Sequence, residues 1–236
     1  MQVPQSLKLP DRLMTIAGFI RAGSSVADIG TDHGLLPVYL AVNGLAQRIT
    51  ASDISAGSLD SARRSAVAYG VAGAITFVNA PGLDGVNETD TDTIVIAGLG
   101  GETIADILRH APWVKKNGVS LILQPQSKIE ELCRWLRESA FIIRGAKLAL
   151  DNGRYYVVML VTGGEPDSIL EPELELLARL MHGRDPLFAD YIDDLIRRTR
   201  RALDGMKTGS APDVLRTALK LSVYIGLKEA NEKWES

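Results

Sequence analysis

From about residue 10 to residue 162 the chain alternates between two kinds of hydrophobic spacing. Short runs rich in Val, Ile and Leu occur at "SVADI", "RITASD", "AITFVN", "DTIVIAG" and "VSLILQP". Between them, apolar residues recur at helical spacing in "GLLPVYLAVNG", "SAGSLDSARRSAVAYG", "GGETIADILRHA" and "SKIEELCRWLRES". Leu13, Ile16, Ala17 and Ile20 mark one more helix face ahead of the first strand. Strands covered on both faces are near-continuously apolar, and repeated strand–helix alternation predicts a parallel, doubly wound α/β sheet.

The rhythm breaks at "FIIRGAKLALDNGRYYVVMLVTGG", two strand runs joined by "LDNGR" with no helix between them. Asn152 and Gly153 both tolerate positive φ, so the pair predicts a tight hairpin. Five alternating strands and a hairpin make a seven-stranded sheet with an antiparallel edge. That is the Rossmann-like layout of S-adenosylmethionine-dependent methyltransferases more than of dehydrogenases, which usually continue β-α. After "TGGEPD" the pattern is helical only. Pro172 and Pro186 suit first-turn positions, with Glu171 and Asp185 just ahead. Phe188, Ile192, Leu195 and Leu203 predict one helix face. The turn "TGSAP" then leads to a second, with Leu215, Leu219, Ser222 and Ile225. The expected division is a catalytic domain over 1–163 and a coiled-coil-like α-helical hairpin over 164–236.

Composition adds bounds. With 236 residues, 46% hydrophobic and 23% charged, the chain suits one moderate domain with an appendage, or two small ones. A net charge of −3 excludes a basic, non-specific nucleic-acid coat but leaves room for a local basic face. The single cysteine, Cys133, excludes an internal disulfide or cysteine-built metal site and reads as a packed thiol. His33, His110 and His182 make no ligand spacing. No window has the roughly 20 apolar residues a bilayer span needs. The beginning, "MQVPQSLKLPDRLM", lacks the order of a secretory signal. The expectation is a cytoplasmic protein without a metal or a membrane anchor, monomer or homodimer.

The chemistry concentrates at strand ends. "VADIGTDHGLLP" is strand, glycine turn, helix, the arrangement that holds nucleotide-like cofactors. A dinucleotide loop keeps bare glycine backbone against a pyrophosphate, whereas this turn, Gly30-Thr31-Asp32-His33-Gly34, carries a carboxylate. Asp32 beside two phosphate charges would cost on the order of a kcal/mol or more even when partly screened. S-adenosylmethionine has no phosphate and carries an ammonium and a sulfonium, so the turn suits it. Asp28, ending the first strand, can attract the methionine ammonium. Asp53, followed by Ile54 at the end of the second strand, can accept hydrogen bonds from ribose hydroxyls. At the third strand, Asn79 can bond an adenine edge and Pro81, before Gly82, can pack on the ring. At the fourth, Ala97, Gly98, Gly100 and Gly101 form a bare loop where ligands of open α/β folds bind.

"ADIGTDHGLLP", "IAGLGGETI", "LILQP" and "GRYYVV", in this order, resemble the bacterial tRNA adenine-22 N1-methyltransferase family over nearly the whole chain. The resemblance implies S-adenosylmethionine as methyl donor and N1 of an adenine in the tRNA D-arm as acceptor. It places the family's acidic motif residue on Asp32 and its histidine on His33. One departure is Ala80-Pro81-Gly82-Leu83, where the family tends to read G-D-G-L; Asn79 or Asp84 can compensate for the missing acid. A ring-nitrogen acceptor also agrees with "AGLGG" after the fourth strand, which offers no side-chain acceptor for an exocyclic amine. Asp32 is the expected catalytic carboxylate, with His33 orienting cofactor or substrate. Gly100, Gly101, Gln124, Pro125, Gln126 and Tyr156 are expected to meet the base. Arg197, Arg198 and Arg201, in the one dense basic run (with Arg200 and Lys207), read as a solvated face or as phosphate contacts. A small-molecule or protein methyltransferase is the alternative.

Overall fold

Apolar alternation along the parallel strands commits both faces of one sheet to burial, and helices cover both. The structure, a computed structural model, describes residues 7–116, 118–165, 170–206 and 210–235. In chain order the elements are α1 (Asp11–Ala17), β1 (Ser24–Ile29), α2 (Leu35–Val42), β2 (Ala46–Asp53), α3 (Ala56–Ala68) and β3 (Thr76–Asn79). They continue with β4 (Thr93–Gly100), α4 (Gly101–Arg109), β5 (Ser120–Ser127), α5 (Ile129–Glu138), β6 (Phe141–Asp151) and β7 (Arg154–Gly163). Then come α6 (Pro172–His182), α7 (Phe188–Gly205) and α8 (Ala211–Glu235). The sheet order is β3-β2-β1-β4-β5-β7-β6. β1 to β5 pair in parallel, and β7 runs antiparallel to both of its neighbours. This is the expected seven-stranded Rossmann-like methyltransferase sheet.

Successive residues of each strand face opposite layers. Val26, Ile49, Ala51, Val95, Ile122 and Val158 are buried with Leu13, Ile16, Leu36, Leu40 and Ala66 of α1 to α3. Their strand neighbours Ala27, Ile29, Ile94, Ile96, Leu121 and Leu123 are buried too, on the side of α4, which lies against β4 and β5 and packs on α5. The hairpin turn is as its sequence predicts: Asn152 and Gly153 have φ of 50° and 73°, and Asp151 pairs with Arg154 across it. Strand order reverses between β1 and β4, and open α/β sheets bind ligands at the carboxyl ends of the strands at such a point.

The chain forms two compact units, Met1–Leu176 and Leu177–Ser236. In the second, α7 and α8 pack together as the expected two helices, with corrections to their faces. Tyr191 and Ile196 join Phe188 and Ile192 as buried residues of α7. On α8 the buried residues are Tyr224 and Asn231, while Leu215 and Leu219 are 60% and 59% exposed. The spacing Leu215–Leu219 is helical, but that stripe points to solvent. Lys207, Thr208 and Gly209, expected in the basic cluster and the connecting turn, lie outside the described residues, as do Pro166 and Asp167 of "TGGEPD".

One glycine fixes how the first turn meets its neighbour. Gly34 caps α2 at φ 68°, and a Cβ there would lie 2.7 Å from the Cβ of buried Ala62 on α3. Left-handed backbone costs an ordinary L-residue about 1–2 kcal/mol, and overpacking adds about 1–3 kcal/mol. Gly34→Ala should therefore lower the unfolding free energy by about 2–5 kcal/mol in urea titration. A change within about 0.5 kcal/mol would refute this account of the α2–α3 approach.

Candidate functional site

The first three amides of the glycine turn after β1 are engaged by the end of β2. Gly30 and Thr31 donate their N–H groups to the Ser52 carbonyl at 2.8 and 3.1 Å. The Asp32 N–H points to Asp53 Oδ2 at 3.3 Å. The end of β2 thus takes up the donors that a dinucleotide loop aims at its pyrophosphate. The side chains of Asp32 and His33 are left outside, 70% and 65% exposed, with 3.5 Å between Asp32 Oδ2 and His33 Nε2. His33 Nδ1 is 2.9 Å from Ser61 Oγ on α3, which orients the ring. Asp32 itself has φ 48°, a left-handed backbone uncommon outside glycine and tolerated by aspartate.

Beneath the turn lies a cavity of about 140 Å³ lined by Arg12, Leu13, Asp28, Gly30, Thr31, Asp32, His33, Leu35, Leu36 and Ala97. Asp28 is 6% exposed. Burial pushes its carboxyl up to about 6; Thr31 and the Arg12 guanidinium pull it down, and the negative Asp53 pushes it up. The Thr31 hydroxyl favours the charged form of Asp28 yet makes no hydrogen bond of good geometry. Thr31 is buried and lines the same cavity.

Arg12, from α1, was not singled out from the sequence. Its Nη1 lies 3.5 Å from Gln124 Oε1. Gln124 is fully buried and donates its amide to the Pro125 carbonyl at 3.0 Å. The buried β5 glutamine thus supports an arginine at the mouth of β1. One cavity brings a buried carboxylate and a guanidinium together, which suits the ammonium and carboxylate of an amino acid.

Beside it, Asp53 works as a clamp, its Oδ1 accepting the Ser55 N–H at 2.7 Å while Oδ2 holds Asp32. A carboxylate offers about four lone-pair sites, so both oxygens retain acceptor capacity. Ile54 is 75% exposed at the rim. The Asn79 amide nitrogen donates to the carbonyls of Asp53 and Ile54 at 2.9 and 3.0 Å. Its donors are spent on the end of β2, and Oδ1 is what remains to face a ligand. Pro81 is exposed just beyond. Gly82, at φ 53°, sits against Ile107 of α4.

The β4 and β5 ends form the other wall. Gly98 has φ 79°, and a side chain on it would approach the Gln126 amide. Gly101 is buried, and a Cβ there would meet the Lys128 carbonyl oxygen at 2.3 Å. Its missing side chain serves the packing of α4 on the start of α5. Gly100 approaches Ser127 Oγ in the same way. Pro125 is buried and Gln126 exposed. Arg154 Nη2 donates to the Gln126 carbonyl at 2.7 Å, and its guanidinium lies 5.3 Å from the centre of the half-buried Tyr156 ring. Arg154 therefore joins Gln126 and Tyr156 into one patch at the carboxyl edge of β5.

In the second unit, the guanidiniums of Arg197 and Arg198 both pair with Asp194, while Arg201 is exposed. Cys133 is buried, with its thiol pushed up to about 12 by that burial and by Glu173, Glu175 and Glu130. It is a packed thiol, as expected. Among the described residues no cluster of three metal-ligating side chains occurs.

The methyltransferase domain family matches residues 9–159. The tRNA (adenine(22)-N(1))-methyltransferase of Bacillus subtilis (strain 168) is 33% identical over 162 residues, 69% of this chain and 68% of that protein. Among solved structures, Streptococcus pneumoniae Sp1610, described as a candidate tRNA (m1A22) methyltransferase and solved with S-adenosyl-L-methionine, is 26% identical, with a TM-score of 0.80 over 94% of this chain and 100% of its own. The B. subtilis m1A22 tRNA methyltransferase structure gives 25% identity and a TM-score of 0.79 over 94% of this chain and 100% of its own.

The burial of Asp28 has a consequence for stability. A carboxyl whose folded pKa is raised from 3.8 to about 6 contributes stability that is fully present below pH 4 and is lost as pH rises through 6. At about 1.4 kcal/mol per unit the loss is about 3 kcal/mol. Asp28→Asn should therefore stabilise the protein by about 1–3 kcal/mol at pH 7.5, with the gain vanishing toward pH 4. Chemical denaturation at both values checks it, and a gain of equal size at both would remove the ionisation argument.

Proposed function

The chain belongs to the tRNA (adenine(22)-N(1))-methyltransferase family, and on that premise we propose how its residues carry the transfer of a methyl group from S-adenosylmethionine to N1 of adenine 22 in tRNA. The observation that carries the reading is that Asp28 and Arg12 line one cavity under a turn whose first three amides are already engaged. In our reading Asp28 takes the ammonium of the methionine moiety and Arg12, steadied by Gln124, takes its carboxylate. Asp53 accepts the ribose hydroxyls, Ile54 and Pro81 lie along the adenine, and the Asn79 oxygen accepts from its amine. The Gly98 and Ala97 backbone closes the opposite side. Residues 1–163 form the catalytic part, and residues 164–236 hold the tRNA, with Arg197, Arg198 and Arg201 toward phosphates. Release of Asp194 from either arginine would free a guanidinium for such a contact.

Bound S-adenosylmethionine supplies a methyl group on a sulfonium, which departs as a neutral thioether. Adenine N1 has an in-plane lone pair and needs no base to become a nucleophile. As the N1–carbon bond forms, positive charge spreads over the ring and its N6 amine. Asp32, exposed at the cleft and fixed through its backbone to Asp53, is placed to accept a hydrogen bond from N6 and stabilise that charge, or to take a proton from it. His33 orients the same edge. N1 lies on the pairing edge, so a paired adenine must first leave its stack at a cost of a few kcal/mol. Gln126, Tyr156 and Arg154 form the surface on which it is held. The Gly100–Gly101 backbone borders that surface. The enzyme works in the cytoplasm with its tRNA substrate.

Methylation of unmodified tRNA, followed by mapping of the modified nucleotide, tests the activity; a methyl group at another atom or none at all would overturn it. For the role of Asp32, the decisive variant is Asp32→Asn, which keeps the shape but loses the charge. Single-turnover rates at saturating cofactor should fall about 10² to 10³-fold, with cofactor and tRNA affinities nearly unchanged. If affinity for the cofactor drops and the rate holds, Asp32 only shapes the turn.

A further inference from the structure

In the second unit, a cavity of about 330 Å³ is lined by Met181, Arg184, Asp185, Pro186, Asn231 and Trp234. It lies at the corner between α6 and α7, against the last turns of α8. Trp234 is 53% exposed, although a tryptophan is among the residues whose apolar surface is largest. The His182 ring meets it nearly at right angles, 5.2 Å between centroids and 81° between planes. The indole is thus fixed in orientation while more than half of it stays in solvent.

Arg184 stands at a second unusual position. It has φ 50°, and its N–H bonds the Met181 carbonyl at 3.0 Å in the turn that closes α6. Helices favour glycine in that left-handed place, and Gly183 is one residue too early to fill it. The Arg184 guanidinium carries no ion pair among the described residues. Asn231 contributes a buried amide group. Asp185, whose Oδ1 accepts the Leu187 N–H at 2.9 Å, puts a carboxylate on the same wall. That carboxylate can accept hydrogen bonds from the amine donors of a base edge.

We propose that this cavity holds one unpaired nucleotide of the tRNA, its base stacked on Trp234 and its backbone phosphate reached by Arg184. The inference rests on the tRNA reading above and adds a contact site to it. A flat aromatic surface with an adjacent guanidinium is what single-stranded nucleotides bind. A volume near the lower end of ligand pockets, about 300–1,000 Å³, suits one nucleotide and not a duplex.

Filter binding of unmodified tRNA to the full-length wild type and to W234A, W234F, W234L and R184A tests it, with circular dichroism confirming helix content. Trp234→Ala should weaken tRNA binding about tenfold, Trp234→Leu nearly as much, and Trp234→Phe less than about threefold, because stacking needs a ring. Arg184→Ala should weaken binding and reduce the slope of log affinity against log salt by about one. Wild-type affinity in folded W234A, equal behaviour of the Leu and Phe variants, or an unchanged salt slope in R184A would each overturn the site. Loss of helix content in W234A shifts the decision to W234F, W234L and R184A. Methylation by the wild type, measured on the same tRNA, separates the two levels. An inactive wild type removes the tRNA reading and this site with it, whereas an active one with unmoved variants removes the site alone.

Discussion

The turn between β1 and α2 is anchored through its backbone to the end of β2, and most of the site follows from that. Three consecutive amides, those of Gly30, Thr31 and Asp32, find their acceptors in the Ser52 carbonyl and the Asp53 carboxylate. Two consequences come from one arrangement. These three donors are held by β2 and are withheld from a pyrophosphate. Its side chains are free to act, since the backbone no longer needs them for capping. The side chains of Asp32 and His33 are therefore left exposed, and Asp53 couples the end of β2 to the turn that carries them. A change at Asp53 reaches Asp32 without touching it.

Much of this was legible in the order of residues. Alternation of apolar strands and amphipathic helices gives the parallel sheet, because each strand must be apolar on both faces. Asn152-Gly153 gives the hairpin, because few residue pairs tolerate two successive positive φ values. The carboxylates at strand ends mark the cleft, since the sheet delivers every strand end to the same edge. Arg12 was not legible: in "LPDRLM" it is one arginine in a short amphipathic helix, and only the fold carries it to the end of β1. Gln124 read as a base-binding group on the strength of its strand-end position, yet its side chain is buried and supports Arg12.

Glycine was the most ambiguous signal. A missing side chain records that something lies close, and sequence alone does not say whether that neighbour is a ligand or the protein. At Gly98 the neighbour is the Gln126 amide at the cleft, whereas at Gly101 it is the Lys128 carbonyl. Helical periodicity had a similar limit in α8. Leu215 and Leu219 recur at the right spacing but on the solvent side, because periodicity reports an apolar stripe without saying which stripe meets α7. Tyr224 and Asn231, one apolar and one polar, occupy the buried face. Burial of a polar residue there broke the pattern that would have marked it.

On the proposed reading, Asp28 and Arg12 would select a zwitterion over a lone cation or anion. A buried carboxylate held near half-protonation around pH 6 is a poor resident of the free protein. Arg12 relieves it only in part, being half-buried and reaching for Gln124. A bound ammonium beside Asp28 and a carboxylate beside Arg12 would complete both charges at once. Either charge alone would leave the other buried group unmatched, which at low dielectric is the more costly state. Discrimination then comes from the unmatched partner as much as from the matched one. The same logic disfavours a nicotinamide dinucleotide, whose pyrophosphate would meet the carboxylates of Asp28 and Asp32 together.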